Sequence, residues 1–146
     1  LQKNERLKKF EIKLEKFDID IYLPFFSEFP IPAKELMEKH TIVIDGIKTL
    51  ASEALLLLKQ NAEIDRKDSI KGQKDAIDIL ALLAFSAVNL KNYLELLKKH
   101  KKENFLKELK RILQGFDGKG SAYLGMDFKQ FQKFKKTKLK EIAELK

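Results

Sequence analysis

The spacing of apolar residues changes character once along this chain. Through much of the first fifty residues it has period two, and beyond them it follows helical turns almost to the end. Phe10, Ile12 and Leu14 alternate with Glu11, Lys13 and Glu15, and Phe17, Ile19, Ile21 and Leu23 alternate with Asp18, Asp20 and Tyr22. Side chains two apart on a strand share a face, so the pattern predicts strand over 8–23 with one apolar and one polar face. The apolar parity slips by one between Leu14 and Phe17, and inside a continuous strand that slip would turn the second set to the opposite face. Either a tight hairpin near Glu15 and Lys16 or a bulge accounts for it, and the hairpin is the preferred form. Pro24, Pro30 and Pro32 close the region, because proline removes a ladder donor and restricts the residue before it. The segment TIVIDGIKTL, 41–50, reads as strand again, with a turn at Asp45 and Gly46.

Helical signals dominate the remainder. Pro32 at a first-turn position predicts a short helix over 32–39. Ser52 is the candidate N-cap of a helix over 52–64, and the polar segment DRKDSIKG, closed by Gly72, reads as a loop. Helical spacing resumes over 73–86, with Ile77, Leu80, Ala81, Ala84 and Phe85 spaced to face inward. Asn89 is placed to cap a helix to about Lys99, another spans about Glu103 to Leu113, and a last one runs from about Asp127 to the end. Gly115, Gly118, Gly120 and Gly125 mark the loop before it. The fold class expected is α+β: a small, mostly antiparallel sheet followed by a bundle of about five helices. Charge suggests a division at residue 88. Residues 1–88 hold 14 Lys/Arg against 15 Asp/Glu, whereas 89–146 hold 16 against 7, and all of the net +8 lies in that second segment.

Composition excludes several chemistries. With no cysteine among 146 residues there is no disulfide framework, thiolate metal site or cysteine nucleophile. The longest apolar runs, Ala54 to Leu58 and Ile79 to Phe85, fall far short of the roughly 20 residues of a spanning helix, so no membrane partner is expected. The opening residues LQKNERLKKF are charged, unlike a secretory leader, and a cytoplasmic location is expected. The chain opens on Leu rather than Met, as a trimmed piece of a longer protein would.

Two groups of residues have the spacing of a reactive site. Asp18 and Asp20, two apart on a strand, project to one side, as two carboxylates must to share a divalent cation such as Mg²⁺. Lys59 and Arg66 are seven apart, about two helical turns, so both cations stand on one helix face within reach of a polyphosphate. Lys74, Asp75 and Asp78 follow on the next helix.

The ordered set Leu50, Ser52, Glu53, Leu55, Lys59, Ala62, Arg66, Lys74, Asp75 and Asp78, behind a strand bearing Asp18 and Asp20, resembles the nucleotidyltransferase superfamily. The likeness is to its small prokaryotic members and the toxin-like relatives grouped with abortive-infection nucleotidyltransferases, and it covers about residues 8–85. The resemblance implies Mg²⁺-dependent binding of a nucleoside triphosphate and nucleotidyl transfer to a small molecule, protein or RNA. It makes Asp20, then Asp18, the metal and catalytic carboxylates, puts Lys59 and Arg66 at the nucleotide phosphates, and has Asp75 and Asp78 orient that basic pair or the helix start. The family's Gly-Ser turn has no counterpart, since no glycine precedes Gly46. The resemblance therefore implies a catalytic half upstream of Leu1.

Each feature also has a plainer reading. Acids alternating with isoleucine form the solvent face of a half-exposed strand, Lys59 and Arg66 form the polar stripe of an amphipathic helix, and acids early in a helix complement its dipole. His40 and His100 have no partner motif. The basic segment supports a second function. Lys98, Lys99, Lys101 and Lys102 form one cluster, and Lys129, Lys133, Lys135, Lys136, Lys138 and Lys140 another, a charge pattern that binds nucleic acid without regard to sequence. Phe128, Phe131 and Phe134, continued by Leu139, Ile142 and Leu145, have helical spacing and are expected to face a core or a partner helix. The alternative to the enzyme is thus a non-catalytic basic helical module that engages nucleic acid or a partner subunit, including a second copy in a homo-oligomer.

Overall fold

The structure, a computed structural model, describes residues 1–146, the side chain of Lys119 excepted. The chain is α+β and divides into two compact units, Leu1–Leu50 and Ala51–Lys146.

The first unit holds all five strands. Strands β1 (Gln2–Asn4), β2 (Lys9–Lys13) and β3 (Asp18–Ile21) form an antiparallel sheet in sequence order. The parity slip is a hairpin: the Leu14 N–H donates to the Phe17 carbonyl at 3.1 Å, which leaves Glu15 and Lys16 at the tip. Its register sets Phe10 opposite Ile21 and Ile12 opposite Ile19 on one face, with Glu11 opposite Asp20 and Lys13 opposite Asp18 on the other. β1 is absent from the sequence reading because its residues are polar, as suits an edge strand exposed to water. Helix α1 (Ala33–Lys39) leads into a second hairpin, β4 (Thr41–Ile44) and β5 (Ile47–Leu50). The turn between them is made by Asp45 and Gly46 with φ of 49° and 78°, the paired left-handed conformation of a two-residue turn that matches strand twist.

The second unit is helical: α2 (Ser52–Arg66), α3 (Ile70–Phe85), α4 (Leu90–Lys99), α5 (Phe105–Gly115), α6 (Gly118–Tyr123) and α7 (Phe128–Ala143). α2 packs against α3, α4 and α5, and α7 packs against α5 and α6. Leu56, Leu57, Ile79, Leu80, Tyr93, Leu97, Leu109, Leu113 and Phe131 are buried in its core. The change of charge at residue 88 lies inside this unit, because the α2–α3 pair shares its core with the more basic helices that follow.

Several local expectations are corrected. Ser52 does not cap α2: Ala51 holds the N-cap position and no side chain bonds there. The expected eight-residue loop is much shorter, since α2 continues to Arg66 and α3 begins at Ile70. Ser69 caps α3, its hydroxyl accepting from the Gly72 N–H at 3.1 Å and donating to the Arg66 carbonyl at 2.6 Å. Gly72 therefore sits in the first turn of α3, and a Cβ there would lie 2.2 Å from the Arg66 carbonyl oxygen, so only glycine admits this close turn. Along α3 the buried stripe is Gly72, Asp75, Ala76, Ile79, Leu80 and Leu83, and Phe85 is exposed. The buried carboxylate of Asp75 shifts that stripe from the one drawn on apolar residues alone. The glycine-bearing segment before α7 contains the short helix α6, where Gly120 leaves room for the Phe116 ring; a Cβ at 120 would lie 1.9 Å from Phe116 Cδ1. The Asn89 cap agrees with the sequence reading, its Oδ1 accepting from the Lys91 and Asn92 N–H groups. Asp127, where the last helix was expected to begin, is its N-cap and forms a reciprocal capping box with Gln130.

Candidate nucleic-acid interface

The residues singled out by sequence fall in both units. Asp18 and Asp20 lie on β3 in the first, on a face where the strand register sets Lys13 opposite Asp18 but two carboxylates, Glu11 and Asp20, opposite each other. Lys9 Nζ sits 2.8 Å from Asp20 and 2.9 Å from Glu11. The Lys9 hydrogen bond holds the Glu11 carboxyl below its ordinary value, and although burial opposes the Lys9 charge, Asp20 and Glu11 together raise its pKa. Asp20 is thus engaged by a cation of its own sheet. Among the described residues no group of three or more histidine or acidic side chains is arranged to hold a metal ion.

Lys59, Arg66, Lys74, Asp75 and Asp78 lie on the α2–α3 pair. Lys59 Nζ meets Asp78 Oδ2 at 2.6 Å, and Arg66 grips Asp75 through Nε at 2.6 Å and Nη2 at 3.0 Å. Lys59 and Arg66 do share one face of α2, as the seven-residue spacing requires, and that face is turned to α3. Asp75 is buried, so the arginine supplies the charge that makes its burial tolerable. Lys74 is exposed beside it.

Sequence reading missed a second polar network, inside the helical core. Gln60 and Glu63 continue the buried stripe of α2 from Leu56 at four- and three-residue steps. The Tyr93 hydroxyl donates to Gln60 Oε1, and Gln60 Nε2 donates to the Phe105 carbonyl at 3.0 Å. Burial pushes the Tyr93 phenol well above its usual range. Arg111 on α5 donates from Nη2 to both oxygens of Glu63, at 2.7 and 2.6 Å, and from Nε to Glu108 at 2.7 Å. Burial works against the Arg111 charge, but Glu63 and Glu108 outweigh it and raise its pKa, while the Arg111 hydrogen bond lowers that of Glu108. The signal for this network was polar residues occupying core positions of a leucine-rich helix. A shallow cleft of about 230 Å³ lies beside it, lined by Glu63, Lys67, Gln73, Arg111 and Phe116 among others.

The two lysine clusters separate on inspection of their contacts. Lys98, Lys99, Lys101 and Lys102 gather at the C-terminal end of α4, where positive charge complements the helix dipole. Lys98 pairs with Glu95 at 3.2 Å, Lys101 takes the left-handed conformation that ends the helix, and Lys102 stands over the Phe105 ring. α7 is different. Phe131 and Ile142 fix its buried face. Lys135, on that side, donates to the carbonyl of Phe116 at 2.7 Å, and Lys138 pairs with Glu141. Lys129, Lys133, Lys136 and Lys140 recur at steps of four, three and four, which sets them in one stripe on the opposite side, all exposed, over about 16 Å of helix. Lys140 is 3.9 Å from Glu144, a loose exposed pair, and the other three carry no ion pair among the described residues. The helical unit as a whole holds 21 Lys/Arg and 13 Asp/Glu, whereas the first unit is balanced at 9 and 9.

Comparison with protein-family models, with curated proteins and with solved structures found no match to this chain. No helix among the described residues is long and apolar enough to cross a membrane.

Proposed function

We propose that the helical unit binds nucleic acid through its phosphates, with α7 as the contact element. One observation carries this reading: four lysines stand in a single solvent-facing stripe directly opposite the buried face of α7, three of them without an ion pair among the described residues. Lysine is a point charge on a flexible stem, suited to phosphates whose exact positions vary, and such a row releases counterions on binding a polyanion. Contacts of this kind carry no base information, so the expected activity is sequence-tolerant binding. Replacing Lys129, Lys133 and Lys136 by Glu tests it. Binding of a fluorescent oligonucleotide, followed by anisotropy, should be lost while the circular dichroism of the protein is unchanged; retained binding would refute the assignment.

Nucleotidyl transfer is the second reading. It is favoured by Lys59 and Arg66 sharing one face of α2, each held in position by a carboxylate of α3, and it takes Mg²⁺ at Asp20 and Asp18. The internal pairing of both cations, and of Asp20 with Lys9, makes it the less direct use of these residues. Its test is calorimetry with magnesium and ATP. Asp20→Asn and Lys59→Ala should each abolish metal-dependent binding, and binding as tight as that of the unaltered chain in either variant would dismiss that residue's role.

A further inference from the structure

The corner between α6 and α7 exposes aromatic surface that the helical core does not use. Phe128, the first residue of α7, leaves 65% of its surface open, and Tyr123 at the end of α6 is exposed as well. The Phe128 ring is nevertheless seated. A Cβ built on Gly118 would lie 3.3 Å from its Cδ2 and 3.5 Å from its Cε2, so the ring edge rests against the glycine that begins α6 while the rest meets water. Lys129, first of the lysine stripe, is its neighbour in sequence.

We propose that this surface takes single-stranded nucleic acid, with one base stacked on Phe128 and the adjoining phosphates on Lys129, Lys133, Lys136 and Lys140. The inference rests on the phosphate-binding reading and names its ligand class. Inside a duplex both faces of a base are covered by its neighbours, so an exposed ring finds an open base face only in an unpaired strand. The lysines form one line with steps of about 5 Å along the helix, a track for one backbone rather than for the two edges of a groove. Stacking on an aromatic ring is tolerant of base identity, because every base has a π-face, and contributes roughly 5- to 150-fold in affinity.

The chain contains no tryptophan, so Phe128→Trp introduces a single indole reporter at the proposed stacking position. With the full chain, an oligothymidylate should quench its emission and a duplex of equal length should not. By anisotropy, Phe128→Ala should weaken single-strand binding within the 5- to 150-fold range while leaving duplex binding unchanged. An unquenched indole at saturation, equal affinity of the alanine variant, or tighter binding of the duplex would each overturn the proposal. A Lys129→Gln, Lys133→Gln, Lys136→Gln variant separates the two levels. If it binds as the unaltered chain does, the phosphate reading fails; if it loses affinity while Phe128→Ala does not, only the stacking role falls.

Discussion

At the scale of single residues, the helical unit depends on polar groups placed where apolar ones would be expected. Gln60 is fully buried and its amide is met on both sides, by Tyr93 and by the Phe105 carbonyl. Tyr93→Phe removes the donor and leaves a buried amide oxygen unmet, which should cost about 1–3 kcal/mol in urea unfolding. A midpoint equal to that of the unaltered chain would show that the hydroxyl contributes nothing. Glu63 is buried and answered by Arg111, which keeps one side in water. Arg111→Ala should cost about 2–3 kcal/mol, below the range for a fully enclosed pair, and replacing Glu63 and Arg111 together by leucine should recover most of it. The Glu108 carboxyl is held below its ordinary value of 4.5 by Arg111, with burial opposing. A group lowered in this way stabilises the fold above its unfolded value, and the contribution is lost as pH falls through the folded one. Glu108→Gln should therefore flatten the fall in the urea midpoint on the acid side of pH 4.5; an unchanged acid limb would contradict the assignment.

At the scale of elements, the features legible in sequence were those with a local cause. Alternation placed β2 and β3, the parity slip located their hairpin, Asp45 and Gly46 marked a turn that needs two positive φ values, Asn89 announced its cap, and Asp127 marked where the last helix begins. What escaped was set by contacts distant in sequence. The inward face of α3 could not be drawn from apolar residues because Asp75 belongs to it, held by an arginine on the preceding helix. Gly72 reads as a terminator, yet it lies in a first turn pressed against the Arg66 carbonyl. Gly72→Ala is expected to destabilise by about 1–3 kcal/mol although alanine favours helix, because the added methyl meets backbone; a gain in thermal midpoint would show that the turn relaxes freely. The candidate surface was half legible. Lys129, Lys133, Lys136 and Lys140 were visible as members of a basic run, but only the helical phase fixed by Phe131 and Ile142 separates them from Lys135 and Lys138 of the same run, which serve contacts within the fold.

At the scale of the whole molecule, the two units differ in how they hold together. The first, fifty residues long, buries only Ile31 and Leu36 of its large apolar side chains and leaves Phe17, Phe25, Val43 and Ile47 exposed, so little of its stability comes from a core. The second has a continuous core and all of the net charge. A fragment of residues 51–146 should unfold cooperatively and bind oligonucleotide, whereas 1–50 alone should show no cooperative transition in calorimetry; the reverse pattern would contradict this division of roles. The most direct test of the central claim is the salt dependence of oligonucleotide binding by the full chain. Each phosphate neutralised on a single strand adds about 0.7 to the slope of log affinity against log salt, so replacing Lys129, Lys133 and Lys136 by glutamine should reduce that slope by about 2. A slope unchanged by the three substitutions would mean that α7 is not where the phosphates bind.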